Sequence, residues 1–395
     1  MDIKKVVNNP AIRKTLLFSF KVLSAMNQII PKNSRTIMLY DSFNTRIEDN
    51  TRVLLNYLVN NGYQKKYHII CAMPRNKSYD EYEKYGVKTV GAIGSILKYL
   101  RCKYFFTSFG NTRITPSRSQ VVVNQWHGTP LKAIGSLGGD HKEEKLDYFT
   151  YTLAASDFFK PIMADAFGCS KKKIMVMGHT RNDLLFSDKE VLSQFRFGED
   201  FLKTVIWMPT FRNSNDNKYH DGKSTETCLP ILDTMEAYEQ FNAYLKEKGI
   251  LFVIKVHNYS SGLNISNLSN IKIISNADLA EAEVELYELI KDFDALLTDY
   301  SSVYFDYLLL DRPIGFTVDD YESYLENRGF VFPNALDYMP GMHIKNAQEL
   351  RQFADDLVHG KDAYALQRKH IKDLSNKYQD GKFCERLLKY VGVSK

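Results

Sequence analysis

Several short stretches of the chain hold side chains that could do chemistry, and each sits just past an apolar run. One is Thr298-Asp-Tyr-Ser-Ser302, between apolar Ala295-Leu-Leu297 and a segment whose positions Val303, Phe305, Tyr307, Leu308 and Leu309 suit a buried helix. A strand that opens directly into a helix leaves unbonded N–H groups, and the positive end of the helix dipole, at the carboxyl edge of a sheet. Phosphate suits such a place. Ser301 and Ser302 can cap the helix or offer hydroxyls to phosphate oxygens. Asp299, expected to point out of the turn, can accept hydrogen bonds from ligand hydroxyls. Plain helix capping by the same residues is the competing account.

The other clusters are basic. Trp126-His-Gly-Thr-Pro-Leu-Lys132 follows the apolar run Val121–Asn124. A histidine is the natural proton acceptor near neutral pH, and Gly128 beside His127 permits close backbone approach; a histidine that merely satisfies a turn is the alternative. Gly178-His-Thr-Arg-Asn-Asp183 follows Ile174–Met177, and its Arg181 suits an anion or a domain-closing contact. Met208-Pro-Thr-Phe-Arg212 follows Val205, and Arg212 could clamp phosphate with two parallel hydrogen bonds. Lys255-Val-His-Asn258 ends the run from Leu251. A lone surface Arg or His is usually just solvated. Basic clusters repeated at successive strand ends are where open α/β sheets bind ligands.

The elements that must position these clusters alternate after Pro31. Strands are expected at Thr36–Tyr40, His68–Ala72, Tyr104–Thr107, Val121–Asn124, Phe149–Ala154 and Ile174–Met177, with helices at Thr51–Val59, Ser95–Leu100 and Asp157–Phe167. The second half repeats the theme with strands at Val205–Met208, Leu251–Val256, Lys272–Ile274, Ala295–Leu297 and Ile314–Val318, and helices at Leu232–Lys246 and Glu281–Lys291. Strands separated by helices imply parallel sheets covered on both faces. Asp183–Lys203 is charged and lacks a strong strand, so the boundary falls there. The expected domains are a basic amphipathic helix over 1–30, an N-terminal Rossmann-like domain over 31–190 and a C-terminal one over 191–395 ending in helices. Residues 213–228 form a polar loop long enough to act as a lid.

In the first segment Ile12, Leu16, Phe20, Leu23, Met26 and Ile30 share one helical face, opposite Arg13, Lys14, Lys21 and Gln28. Such a helix can lie in the interface of an anionic bilayer or pack on the chain's own body. No run approaches a membrane span and no cleavable leader is visible. At 395 residues, 44% hydrophobic, 25% charged and net +5, the chain fits a two-domain globular protein with little disorder. Five scattered cysteines without a Cys-x-x-Cys pair argue against a disulfide framework or zinc site and for a reducing compartment. Asp292-Phe-Asp294 has a metal-binding spacing but leads into a strand, so a solvated turn is expected and no metal.

Taken together, Trp126–Lys132, Arg181-Asn182-Asp183, Pro209–Arg212, His257, Leu297–Ser302 with Phe305-Asp-Tyr307, Arg328-Gly-Phe330 and Pro340-Gly341 resemble the CDP-glycerol glycerophosphotransferases of Gram-positive teichoic acid synthesis. The resemblance covers roughly residues 35–390, in the same order. It implies a GT-B-like α/β fold, two Rossmann-like domains facing a cleft, with nucleotide mainly on the C-terminal one. It implies transfer of glycerol phosphate, or a related polyol phosphate, from a CDP-activated donor to a hydroxyl of a lipid-linked teichoic acid or capsule precursor, with release of CMP.

The residues carried over divide by role. His127 would be the general base, and Arg212 and His257 would stabilise charge on the diphosphate. Gly128, Thr129, Lys132, Arg181, Asn182 and Asp183, with Thr210, Thr298, Asp299, Ser301 and Ser302, would bind substrate. The partners implied are a CDP-glycerol or CDP-ribitol donor, a lipid-linked glycan acceptor and an anionic membrane surface, at the cytoplasmic face; a homo-oligomer is compatible, nucleic acid and cofactors are not expected. Asn258 after His257, His179-Thr180 before Arg181 and Asn213 after Arg212 depart from the family's pattern and leave the donor open. Rival functions are a sugar-nucleotide glycosyltransferase or epimerase of the same fold, and a non-catalytic membrane-associated scaffold.

Overall fold

The apolar runs fold as parallel strands, because the helices between them cover both faces of each sheet. In the computed structural model the described residues are 10–41, 47–73, 80–108, 112–138, 146–198, 201–209, 226–256 and 265–395. The chain forms two units. One comprises Met1–His127, His141–Asp183 and Lys382–Lys395, the other Gly128–Asp140 and Leu184–Gly381.

The first unit is built on a seven-stranded sheet in the order β3-β2-β1-β4-β5-β6-β7. Its strands are β1 (Asn33–Tyr40), β2 (His68–Ala72), β3 (Lys88–Val90), β4 (Cys102–Thr107), β5 (Val121–Asn124), β6 (Tyr151–Ala154) and β7 (Ile174–Val176). Chain order reverses between neighbours β1 and β4, and a crevice opens at the carboxyl ends of strands where such a reversal occurs. The residues just beyond those ends are Asp41, Ser108 and, past β5, His127. The helix Phe383–Tyr390 returns to this unit: Phe383 and Cys384 donate their N–H groups to the Asp183 carboxylate at 2.6 and 3.0 Å. Gly178 makes room for it, since with φ +75° a Cβ there would lie 2.5 Å from the Phe383 ring.

The second unit carries a six-stranded sheet in the order β10-β9-β8-β11-β12-β13. Its strands are β8 (Lys203–Met208), β9 (Ile250–Lys255), β10 (Ile271–Ile274), β11 (Ala295–Thr298), β12 (Ile314–Thr317) and β13 (Met342–Ile344). Here the reversal lies between β8 and β11, paired Thr298 to Met208. β9 is buried along its whole length, and Phe252 on it meets Phe241 of the helix Met235–Lys248 edge-to-face at 5.2 Å. Each such side chain removed from water contributes about 1.5–3 kcal/mol.

Two details differ from the sequence expectation. The helix expected over Glu281–Lys291 is two short ones, Asn276–Glu281 and Leu286–Ile290. Capping boxes at Ser275/Asp278 and Glu285/Glu288 start each, and Glu283 breaks the run between them at φ +53°. The edge strands β3 and β13 were not expected; at three residues each they carry too little pattern to register. A helix spans Pro10–Ile29, with Phe20 and Leu23 of the expected apolar face half-buried, and Asn27 near its end is buried against Gln120 and the Thr115 carbonyl. Ahead of that anchor Leu16, Leu17, Phe18 and Val22 are exposed. Among the described residues no helix is long and apolar enough to cross a membrane.

Candidate active site

In the first unit the site is built around a bent backbone. Past β5, Trp126 takes φ +59° and Gly128 φ +138°. Only glycine adopts the latter readily, and holding a tryptophan at the former costs about 1–3 kcal/mol. The bend seats the His127 ring on the Trp126 indole, centroids 3.9 Å apart. The indole in turn packs edge-on against Phe167 at 5.0 Å.

A polar network lies beneath this turn. Asn50, in the first turn of the helix Asp49–Asn60, donates from Nδ2 to the Trp126 carbonyl at 2.8 Å and accepts the Arg181 N–H at 3.0 Å. The Thr180 hydroxyl sits 2.9 Å from the Asn50 carbonyl and 2.7 Å from Gln125 Oε1. On the β1 and β4 side, Asp41 accepts from Glu48 N–H, Ser108 N–H and the Thr51 hydroxyl. Burial pushes the Asp41 carboxyl up to about 7 against the pull of those hydrogen bonds. Arg181 Nη1 lies 2.8 Å from Asp49 Oδ1.

His127 is held well below its ordinary value, at about 4. Burial is the main cause; the Asp49 charge opposes it, Arg181 and His179 reinforce it, and a hydrogen bond with the Ser108 backbone opposes it. The imidazole is therefore neutral at physiological pH.

The remaining residues of that cluster divide by role. Asn182 is buried and bonds back to the His179 carbonyl at 3.0 Å. Asp183, expected at the substrate, has its carboxylate committed to the start of the C-terminal helix, because that helix needs an acceptor for its first N–H groups. Sequence reasoning did not single out Asp41, Asp49, Asn50 or Gln125, and noted Thr180 only as a departure from the family's pattern.

In the second unit Leu131–Ala133 runs beside Gly329–Val331, with Val331 N–H to Leu131 C=O at 2.9 Å and Ala133 N–H to Gly329 C=O at 3.1 Å. Lys132 reaches over the Tyr324 ring at 5.3 Å, and Thr129 is buried. Tyr324 also meets Tyr300 at 4.3 Å, whose hydroxyl donates to Asp320 at 3.0 Å. Lys132 and the Thr298–Ser302 turn are thus joined through one aromatic cluster that includes Phe330. Thr298 Oγ1 donates to the Met208 carbonyl at 2.8 Å, tying the ends of β11 and β8 together.

Asp299, expected to point out of the turn, is 0% exposed, as are Thr298 and Tyr300 on either side of it. Ser301 and Ser302 are half-buried, and Ser302 occupies the cap position of the helix Val303–Tyr307 without a side-chain capping bond. Its hydroxyl is not used in the way the capping account requires.

Thr210, Arg212, His257 and most of the expected lid over 213–228 lie outside the described residues. Asp292 is not solvated: Oδ2 accepts the N–H groups of Val191 and Leu192 at 2.6 and 3.1 Å, and Lys291 pairs with it at 2.7 Å. Its carboxylate pins the start of a turn that would otherwise leave buried donors unpaired. Among the described residues no three His, Cys, Asp or Glu side chains gather as metal ligands.

Residues 22–392 match the family of CDP-glycerol:poly(glycerophosphate) glycerophosphotransferases. The chain belongs to this family. It is 26% identical over 287 residues to the teichoic acid ribitol-phosphate polymerase TarL of Staphylococcus aureus, covering 69% of this chain and 48% of TarL. It is 28% identical over 310 residues to the teichoic acid ribitol-phosphate primase of Bacillus spizizenii, covering 73% of this chain and 72% of the primase. This glycerophosphotransferase-family chain therefore spans about half the length of one curated relative and nearly three quarters of the other. The solved wall teichoic acid polymerase TagF superposes with a TM-score of 0.72 at 20% identity, over 99% of this chain and 96% of that one. The shared fold is GT-B-like, with two parallel-sheet α/β units.

Proposed function

We propose that this chain transfers glycerol phosphate or a related polyol phosphate from a CDP-activated donor to a hydroxyl of a lipid-linked teichoic acid or capsule precursor, releasing CMP. The observation that carries this is the family match over residues 22–392, which spans the motif loops of both sheets.

Chemically, the acceptor oxygen attacks the phosphorus that bears the polyol. A new P–O bond forms, the P–O bond to CMP breaks, and the proton of the acceptor hydroxyl passes to His127. Such a reaction needs positioning and charge neutralisation more than covalent chemistry. The Ser108 backbone holds one imidazole nitrogen; the other is the atom assigned to take the proton. An anionic substrate close to the ring raises its pKa from about 4 toward neutrality, so the base strengthens as the site fills. Arg181 neutralises acceptor-side charge, with Asn182 beside it. In the second unit Ser301 and Ser302 hold the donor on a turn anchored by the buried Thr298 and Asp299, with Gly128, Thr129 and Lys132 supporting that turn, while Thr210, Arg212 and His257 stabilise the charge left on CMP. No cofactor or metal enters this scheme.

A lipid-linked acceptor stays at the membrane, so the enzyme works at the cytoplasmic face. The helix Pro10–Ile29 suits that contact: Phe18 and Ile29 are 67% and 81% exposed, and Lys14 and Lys21 are exposed beside them. CMP release from CDP-glycerol and CDP-ribitol, compared with nucleotide release from UDP-sugars, tests the proposal; UDP release alone would favour a glycosyltransferase.

A further inference from the structure

The turn that presents His127 is held at one atom that the chemistry itself does not use. Trp126 holds φ +59° just past β5, and its carbonyl is met by Asn50 Nδ2 at 2.8 Å. Asn50 is 0% exposed. Its Oδ1 accepts the Arg181 N–H at 3.0 Å, and its own carbonyl lies 2.9 Å from the Thr180 hydroxyl. One amide therefore ties together the peptide before His127 and the peptide before Arg181. An amide is the side chain that can do both, since it donates at one atom and accepts at the other.

We propose that Asn50 is the positioning residue for His127: it fixes the Trp126 peptide, so that the imidazole stays packed on the indole and aligned for proton transfer, and sets Arg181 in register with it. This rests on His127 acting as the base of the transfer proposed above. Asn50 touches neither donor nor acceptor in this account. Its effect falls on the geometry of the base, where small misplacements are costly.

The test compares wild type, Asn50→Asp and Asn50→Leu in the full chain. Asp keeps the acceptor for Arg181 and loses the donor for Trp126; Leu keeps approximate size and loses both. The expected result is a fall in kcat of roughly tenfold or more in both variants, with donor KM within about twofold of wild type. The His127 imidazole, followed by NMR, should titrate roughly one unit or more above its wild-type value in Asn50→Leu, as the ring leaves the indole and gains water. A kcat within twofold of wild type would overturn the proposal, as would a fall in kcat with His127 titrating unchanged. If Leu fails to fold, Asn50→Ala, which also loses both bonds and adds no charge near His127, decides on the same two readouts. If wild type releases no CMP from any CDP-polyol, the proposed function fails, and the His127 titration alone then decides the role of Asn50.

Discussion

Arg181 and Asp49, 132 positions apart in the sequence, meet at 2.8 Å with both side chains largely buried. They act on His127 in opposite senses, the carboxylate raising its pKa and the guanidinium lowering it. Asp49→Asn should therefore lower the His127 pKa further and leave Arg181 without its anion. A hydrogen bond to a charged group contributes about 1.5–3 kcal/mol, so a loss of that order is expected in urea unfolding. An unchanged midpoint would mean that the pair is not felt in the folded protein.

The pH profile follows from the same surroundings. Because His127 is lowered to about 4, the free enzyme should hold its base unprotonated above roughly pH 5, and kcat/KM should fall only as pH drops through the region of 4. With anionic donor bound the pKa rises, so the acid limb of kcat should lie at higher pH than that of kcat/KM. Stability carries the matching sign: the unfolded chain takes up this proton near 6.5 and the folded one near 4, so this group's contribution is lost as pH falls across that window. His127→Ala should cost roughly 10²–10⁴-fold in turnover while donor binding survives. A kcat/KM limb near 6.5, or turnover within a few-fold in the alanine variant, would remove His127 from the role.

Asp183 provides a contrast. Its carboxylate accepts two N–H groups from the first turn of the helix Phe383–Tyr390, so Asp183→Ala should behave as the loss of a helix cap, at about 0.5–2 kcal/mol. Thermal unfolding should show that loss with donor KM unchanged. A raised KM at unaltered stability would return Asp183 to the substrate.

On the donor side, Arg212→Lys should weaken donor binding nearly as much as Arg212→Ala, because a point charge cannot reproduce a forked contact to phosphate oxygens. Activity should persist in excess chelator. Loss on EDTA restored by magnesium would show that a metal, not these side chains, neutralises the diphosphate.

For the membrane contact, the anchor sets where a truncation is informative. Ser24 and Asn27 bond to Thr115 and Gln120, so removing residues 1–30 would expose buried polar groups, whereas removing 1–20 spares them. The shorter deletion should leave a folded enzyme that has lost binding to anionic vesicles. In the full chain that binding should weaken with salt, each basic residue contributing about 1 kcal/mol near the surface. Undiminished vesicle binding after the deletion would place the contact elsewhere.

Much of this architecture was legible because buried parallel strands leave short apolar runs with chemistry at their ends. β2 and β5 fall at the expected residues, and the Asp299 motif lies beyond a strand at one reversal of strand order while the His127 motif lies one strand away from the other. Contacts between distant segments were not legible. Asp49 and Asn50 look like the ordinary polar start of a helix, and nothing near them marks a bond to Trp126, 76 positions away. The return of the C-terminal helix to Asp183 spans 200 positions and leaves no local trace. The burial of Asp299 depends on neighbouring elements as much as on its own turn.

The measurement that bears most directly on the central claim is the mass of the product. Full-length enzyme is given a lipid-linked acceptor analogue with CDP-glycerol, CDP-ribitol or a UDP-sugar, and the acceptor is weighed after reaction. The account predicts a gain of one or more polyol-phosphate units from a CDP donor, matched by CMP. An acceptor that gains mass only from the UDP-sugar, or from no donor at all, would contradict it.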